Sequence, residues 1–162
     1  MASFDEACKN TLKWEDPALS GQVTVDSGGK TRFGISAKSY PDVDIENLTL
    51  EGAEDIYHRD FWLPMFDDIQ SQAVANKVFD MGVNMGVRVA VKLCQKALND
   101  CGEVIVIDGR FGPTTLNAVN RQDERDLLPE LRNAAVERYM QIIDDNPKLK
   151  RYERGWLKRA RS

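Results

Sequence analysis

The sequence predicts a mainly α protein carrying one small β-hairpin. Apolar residues recur at helical spacing through most of the chain. Polar and β-branched residues alternate in one short window, around a glycine-rich turn. Prolines at 17, 64, 113 and 129 punctuate the apolar stripes as helix stops and starts. A hydrophobic share of 42% with 30% charged residues fits a globular chain with a proper core.

Ser3 and Glu6 have the spacing of a capping box, and the stripe after them predicts a helix over 4–15. Pro17 stops it. Gln22 to Val25 reads as a strand, Ser27-Gly28-Gly29 as a turn, and Lys30 to Phe33 as the returning strand. Gly34-Ile35-Ser36 leads into a short helical piece near 37–40, followed by loop to Asn47. Thr49 can cap a helix over 50–62, with Ala53, Ile56, Tyr57 and Phe61 inward. From Ser71 to Met85 the chain is apolar on most sides, which predicts the central buried helix. Gly82 and Gly86 bracket Asn84 and would allow close backbone approach. A further helix follows over 87–98. Val104 to Ile107 then leads to the turn Asp108-Gly109-Arg110-Phe111-Gly112 and a helix starting at Pro113. Pro129 is placed to start a long helix to about 145, with Leu131, Ala135 and Ile142 on one face. The last segment reads as a short basic helix with Trp156. No internal repeat and no low-complexity stretch is present.

Several function classes are excluded or weakened by composition. The net charge of −4 argues against a nucleic-acid partner, although residues 148–162 hold seven Lys or Arg against one Glu. That tail reads as a solvated face docked through Trp156 and Leu157, with attraction to anionic phosphates as the other reading. With a single histidine, His58, and no CxxC spacing, no metal centre is predicted. His58 falls on the exposed side of its helix. No phosphate-cradling glycine loop occurs, so no nucleotide and no other cofactor is implied. Cys8 and Cys94 read as small core residues and Cys101 as a surface thiol. No window is long and apolar enough for a membrane span.

Carboxylate chemistry remains. At about 100° per residue, Glu15 falls in the middle of the core-facing stripe of its helix, whereas Lys9 and Lys13 point away. A carboxylate there must be paired or partly desolvated, and desolvated carboxyls make general acids. Asp26 sits at the edge of the hairpin turn and Thr31 on the returning strand. Glycoside hydrolysis needs one acid at the leaving oxygen and a second carboxylate in a wetter setting, and Glu15 with Asp26 is such a split. Taken singly, Asp26 is also an ordinary turn aspartate and Thr31 an ordinary strand threonine.

Glu15 followed by Val25-Asp26-Ser27-Gly28-Gly29-Lys30-Thr31-Arg32-Phe33-Gly34-Ile35 resembles the N-acetylmuramidases of glycoside hydrolase family 108. Their pattern is Glu-Gly-Gly and then Asp-Pro-Gly-Gly-x-Thr-x-Phe-Gly-Ile. Here Glu15-Asp16-Pro17 replaces Glu-Gly-Gly, and the spacing to Asp26 is about two residues longer. Four further segments are similar to the family's in collinear order: Ile56 to Trp62, Val78 to Gly86, Ile107 to Thr115, and Gly155 to Arg159. The turn within Ile107 to Thr115 resembles a peptidoglycan-binding repeat, yet its chemistry is that of a helix start.

The resemblance implies a lysozyme-like helical domain whose hairpin carries part of the active site. Residues 1–86 would be the catalytic region. Residues 87–162 would be a helical region resembling a peptidoglycan-binding domain, packed with the first as one unit. The implied reaction is hydrolysis of the β-1,4 bond between N-acetylmuramic acid and N-acetylglucosamine in peptidoglycan. Glu15 would be the acid, Asp26 the base or electrostatic partner, and Thr31 the water-orienting hydroxyl. Tyr57 and Asn84 are candidates to line the sugar groove; read alone, Tyr57 is also a core tyrosine on an apolar stripe and Asn84 a helix-end asparagine between glycines. The expected partner is the peptidoglycan glycan strand, met by a monomer without stable membrane insertion. The N-terminus has neither a basic start nor an apolar stretch, so no signal peptide is expected. An endolysin-type enzyme would then be made in the cytoplasm and reach the wall in the periplasm by holin-type or non-standard release. The alternative is a non-catalytic peptidoglycan-binding or secretion-associated protein. A thiol amidase built on Cys8 and His58 ranks far below both, since Cys8 lies mid-helix on a core face.

Overall fold

The computed structural model describes residues 1–26 and 29–162, with Asp26 described by its backbone alone. The chain begins with α1 (Phe4–Glu15) and continues through β1 (Thr24–Asp26), β2 (Gly29–Arg32) and β3 (Ile35–Ser36). Then come α2 (Leu50–Phe61), α3 (Gln72–Met85) and α4 (Val87–Asp100). The chain closes with α5 (Pro113–Arg121), α6 (Glu124–Asp145) and α7 (Glu153–Ala160). Two 3₁₀ turns, Pro64–Asp68 and Pro147–Tyr152, lead into α3 and α7. The fold is mainly α, as predicted, with one small antiparallel sheet.

The central helix is α3, packed against α1, α4 and α6. Val74, Ala75, Val78, Phe79 and Met81 are buried in it. Phe79 meets Phe4, Tyr57 and Trp62 edge-on, at centroid separations of 5.8, 6.5 and 5.7 Å. Such offset aromatic contacts add to the area each ring removes from water. Two charged side chains, Lys77 and Asp80, are buried on the same helix. Between α3 and α4 the chain turns at Gly86 with φ of 90°, a conformation costly for any residue with a Cβ. No heavy atom lies within 4 Å of where a Gly86 Cβ would be, and Gly82 has only ordinary contact with Val87. Close backbone approach is therefore not the reason for either glycine.

Several local expectations are corrected. The Ser3 side chain makes no cap bond. Instead its backbone N–H donates to Gln72 Oε1 at 2.7 Å, and Gln72 Nε2 donates back to the Ser3 carbonyl at 3.0 Å. Thr49 does cap α2, its Oγ1 accepting from the Gly52 N–H at 3.0 Å. The expected helical piece at 37–40 is a turn, preceded by a third strand. That strand pairs Arg32 with Ile35 and Thr31 with Ser36. Helix α6 starts five residues before Pro129, because Asp123 caps it by accepting from the Arg125 N–H at 2.9 Å. Its buried face includes Leu131, Ala135, Tyr139 and Ile143, rather than Ile142. Cys8 and Cys94 are buried, as expected.

Candidate active site

The site is built where the end of α1 meets the sheet. In the β2–β3 connection, Phe33 and Gly34 have φ of 50° and 77°. Two consecutive left-handed residues fit the right-handed twist of a tight hairpin, and a buried phenylalanine there needs support. Tyr57 supplies it from α2, its hydroxyl donating to the Phe33 carbonyl at 2.9 Å. Gly34 lies directly against Glu15: a Cβ at Gly34 would stand 2.9 Å from Glu15 Cβ and overlap the Tyr57 hydroxyl. A side chain at 34 would displace the glutamate.

Past Glu15, the loop replacing the two glycines is organised by Asp16. Its carboxylate accepts from the Gly21 N–H at 2.9 Å and the Ser20 N–H at 3.2 Å. The longer spacing to the sheet is therefore closed by the residue that departs from the family pattern.

Glu15 opens onto a cleft of about 200 Å³, lined also by Ser36, Tyr40, Tyr57, Phe61 and Asn84. Of the two environments expected for Glu15, the paired one is found. Arg159 of α7 donates from Nη1 to Glu15 Oε1 at 2.7 Å. The same guanidinium holds Asp80 of α3. Its Nε donates to both carboxylate oxygens at 3.1 and 3.2 Å, and its Nη2 to Oδ1 at 2.8 Å. The side chains of Arg159 and Asp80 are 11% and 8% exposed, and that of Glu15 is 23% exposed. Burial works against the guanidinium charge, but Asp80 and then Glu15 outweigh it and push the ionisation of Arg159 upward.

The other predicted residues fall as follows. Tyr57 and Asn84 both line the cleft. Tyr57 is 2% exposed, and burial, followed by the Glu15 charge, pushes its phenol well above the usual range. Asn84 donates from Nδ2 to the Tyr139 hydroxyl of α6. Tyr139 in turn stacks on Trp156, centroids 5.1 Å apart, and burial raises its phenol to about 12. Thr31 is not one of the lining residues, but it pairs across the ladder with Ser36, which is. Asp26 ends β1 opposite Gly29; its side chain, with residues 27 and 28, lies outside the described residues. His58 is exposed, as expected. Among the described residues, no three His, Cys, Asp or Glu side chains converge as metal ligands.

Sequence reasoning missed Tyr40, Phe61, Asp80, Tyr139 and Arg159. Asp80 carried a signal, a charge inside a helix apolar on most sides. Arg159 ends the Gly155 to Arg159 segment similar to the family's, but as a charge it reads as one cation in a basic run.

Residues 8–86 match the family described as Glycosyl hydrolase 108. That segment belongs to the family. Residues 89–161 match a second family, described as Predicted Peptidoglycan domain. This family 108 member is a glycoside hydrolase acting on peptidoglycan, and peptidoglycan is its partner. No curated protein matches the chain. Among solved structures it is similar to SagA of Brucella abortus at 23% identity and a TM-score of 0.74, over 97% of this chain and 88% of that one. That likeness speaks for the fold.

Proposed function

We propose that this family 108 hydrolase cuts the β-1,4 bond between N-acetylmuramic acid and N-acetylglucosamine, with Glu15 as general acid. The observation carrying this is the placement of Glu15. A helix end, a left-handed turn and a guanidinium fix its carboxylate at a cleft lined by aromatic and amide side chains, the surface a glycan strand needs. Arg159 occupies Oε1, and Oε2 has no protein partner among the described residues. The transferable proton therefore sits on Oε2. It passes to the glycosidic oxygen as the bond to the anomeric carbon breaks. Asp26 is the candidate to activate water or face the developing oxocarbenium charge, and Thr31 the hydroxyl that steadies the water. Asn84, turned by Tyr139, offers its carbonyl to an N-acetyl N–H. Tyr40 and Phe61, half-buried at the cleft, are better placed than buried Tyr57 to meet a sugar ring.

The test is mass spectrometry of fragments released from purified peptidoglycan by the full chain and by Glu15→Gln. Wild type should release disaccharide-peptides with a reducing N-acetylmuramic acid end, and the variant should lose at least about 100-fold of that activity. Anhydro-sugar ends would replace hydrolysis by transglycosylation. Binding without any release would leave only a peptidoglycan-binding module.

A further inference from the structure

We infer that Arg159 is a positioning residue for the general acid, so that the segment matching a peptidoglycan domain completes the active site rather than merely tethering it. The inference rests on the assignment of Glu15 above. Glu15 and Arg159 lie 144 positions apart, in the two segments matched by different families. The pair is nevertheless a direct 2.7 Å contact, with both side chains largely withdrawn from solvent.

The geometry divides the labour of the guanidinium. Its edge toward α3 grips both oxygens of Asp80, which anchors the planar group. The remaining Nη1 reaches one oxygen of Glu15. A donor with no acceptor capacity at Oε1 forbids a proton there, so it selects the oxygen that can carry one. One cation facing two carboxylates also leaves a single net negative charge among the three groups when both are ionised. One bound proton makes the trio neutral. Lysine cannot reproduce this, because its ammonium lacks the planar fork that holds two acceptors in fixed directions.

The groups facing this trio are Lys77, from α3, and the phenols of Tyr57 and Tyr139, from α2 and α6. Lys77 Nζ donates to the Arg159 carbonyl at 3.0 Å. Tyr57 and Tyr139 both sense the Glu15 and Arg159 charges.

The experiment compares the kcat and KM of full-chain Arg159→Gln, Arg159→Lys and Glu15→Gln on soluble peptidoglycan fragments, with thermal melting of each. Arg159→Gln should lose about 10- to 100-fold in kcat, in line with the cost of a misplaced catalytic group, with KM changed less than about threefold. Arg159→Lys should recover only part of kcat. If Arg159→Gln does not fold, the kcat and KM of Arg159→Lys decide the matter. A folded Arg159→Gln with wild-type kcat, or an Arg159→Lys with full kcat, overturns the inference. Should Glu15→Gln itself stay active, the assignment of the acid fails instead.

Discussion

Gly34 shows how much of the site rests on one missing side chain. Its φ of 77° puts it in the left-handed region, and a Cβ there would press on Glu15 and the Tyr57 hydroxyl. Gly86 has a similar φ of 90° but open space around it. The two positions therefore separate backbone strain from contact. Alanine costs about 1–2 kcal/mol at 34 for the left-handed conformation, and about 1–3 kcal/mol at 86, where ψ of 139° lies outside the left-handed helical well. At 34, overpacking adds about 1–3 kcal/mol. Gly34→Ala should lower the melting temperature by roughly 5–15 °C and remove most activity. Gly86→Ala should also lower it, yet leave activity close to wild type. A Gly34→Ala with wild-type activity would show that the contact with Glu15 carries no weight.

At the level of elements, apolar periodicity was a sound guide wherever a helix buries one stripe. It located α1, α2, α3 and α4 within one or two residues, and Thr49 marked the start of α2. It failed where a short-range signal competed with another. Pro129 looked like a first-turn proline, yet Asp123 offers a better cap six residues ahead of the place where α6 was expected to begin. Pro129 thus sits inside α6, exposed, with the Arg125 carbonyl opposite its missing N–H. The β3 strand, two residues long, is too short to show an alternation. Pro129→Ala should restore the bond to Arg125. The gain is the helix cost of proline, about 3 kcal/mol at most, less about 0.4–1 kcal/mol returned through the freer unfolded chain. A net rise of about 1–2 kcal/mol should appear as a higher urea midpoint with an unchanged slope. A lower midpoint would mean that α6 needs its proline.

Across the whole molecule, what the sequence left hidden was pairing at a distance. Glu15 was legible as a carboxylate facing the core, but no local pattern tells that its partner is Arg159. A basic run reads as solvated until a fold buries one member of it. The same burial governs stability at alkaline pH. Lys77 is held down from 10.5 to about 8, by burial first and by Arg132 and Arg159 next, against the opposing pull of Asp80. Below pH 8 it is charged in both states. Between about 8 and 10.5 the unfolded chain keeps a proton that the native protein releases, so this group adds up to about 1.4 kcal/mol of stability per pH unit. Burial lifts the Cys8 and Cys94 thiols from 9.0 to about 12, with Glu54 and Asp5 adding to the effect at Cys8. Burial raises the Cys101 thiol as well. Above about pH 9 the unfolded thiols ionise first, and stability falls through three groups against the one that raises it. Unfolding free energy should therefore climb from pH 8 to a maximum near 9 and then decline. Urea titrations at half-unit steps would show it, and Lys77→Met, which has no proton to release, should lose the climb and decline through the same range. A wild-type curve that is level or falling between pH 8 and 9 would mean that Lys77 stays charged in the native protein.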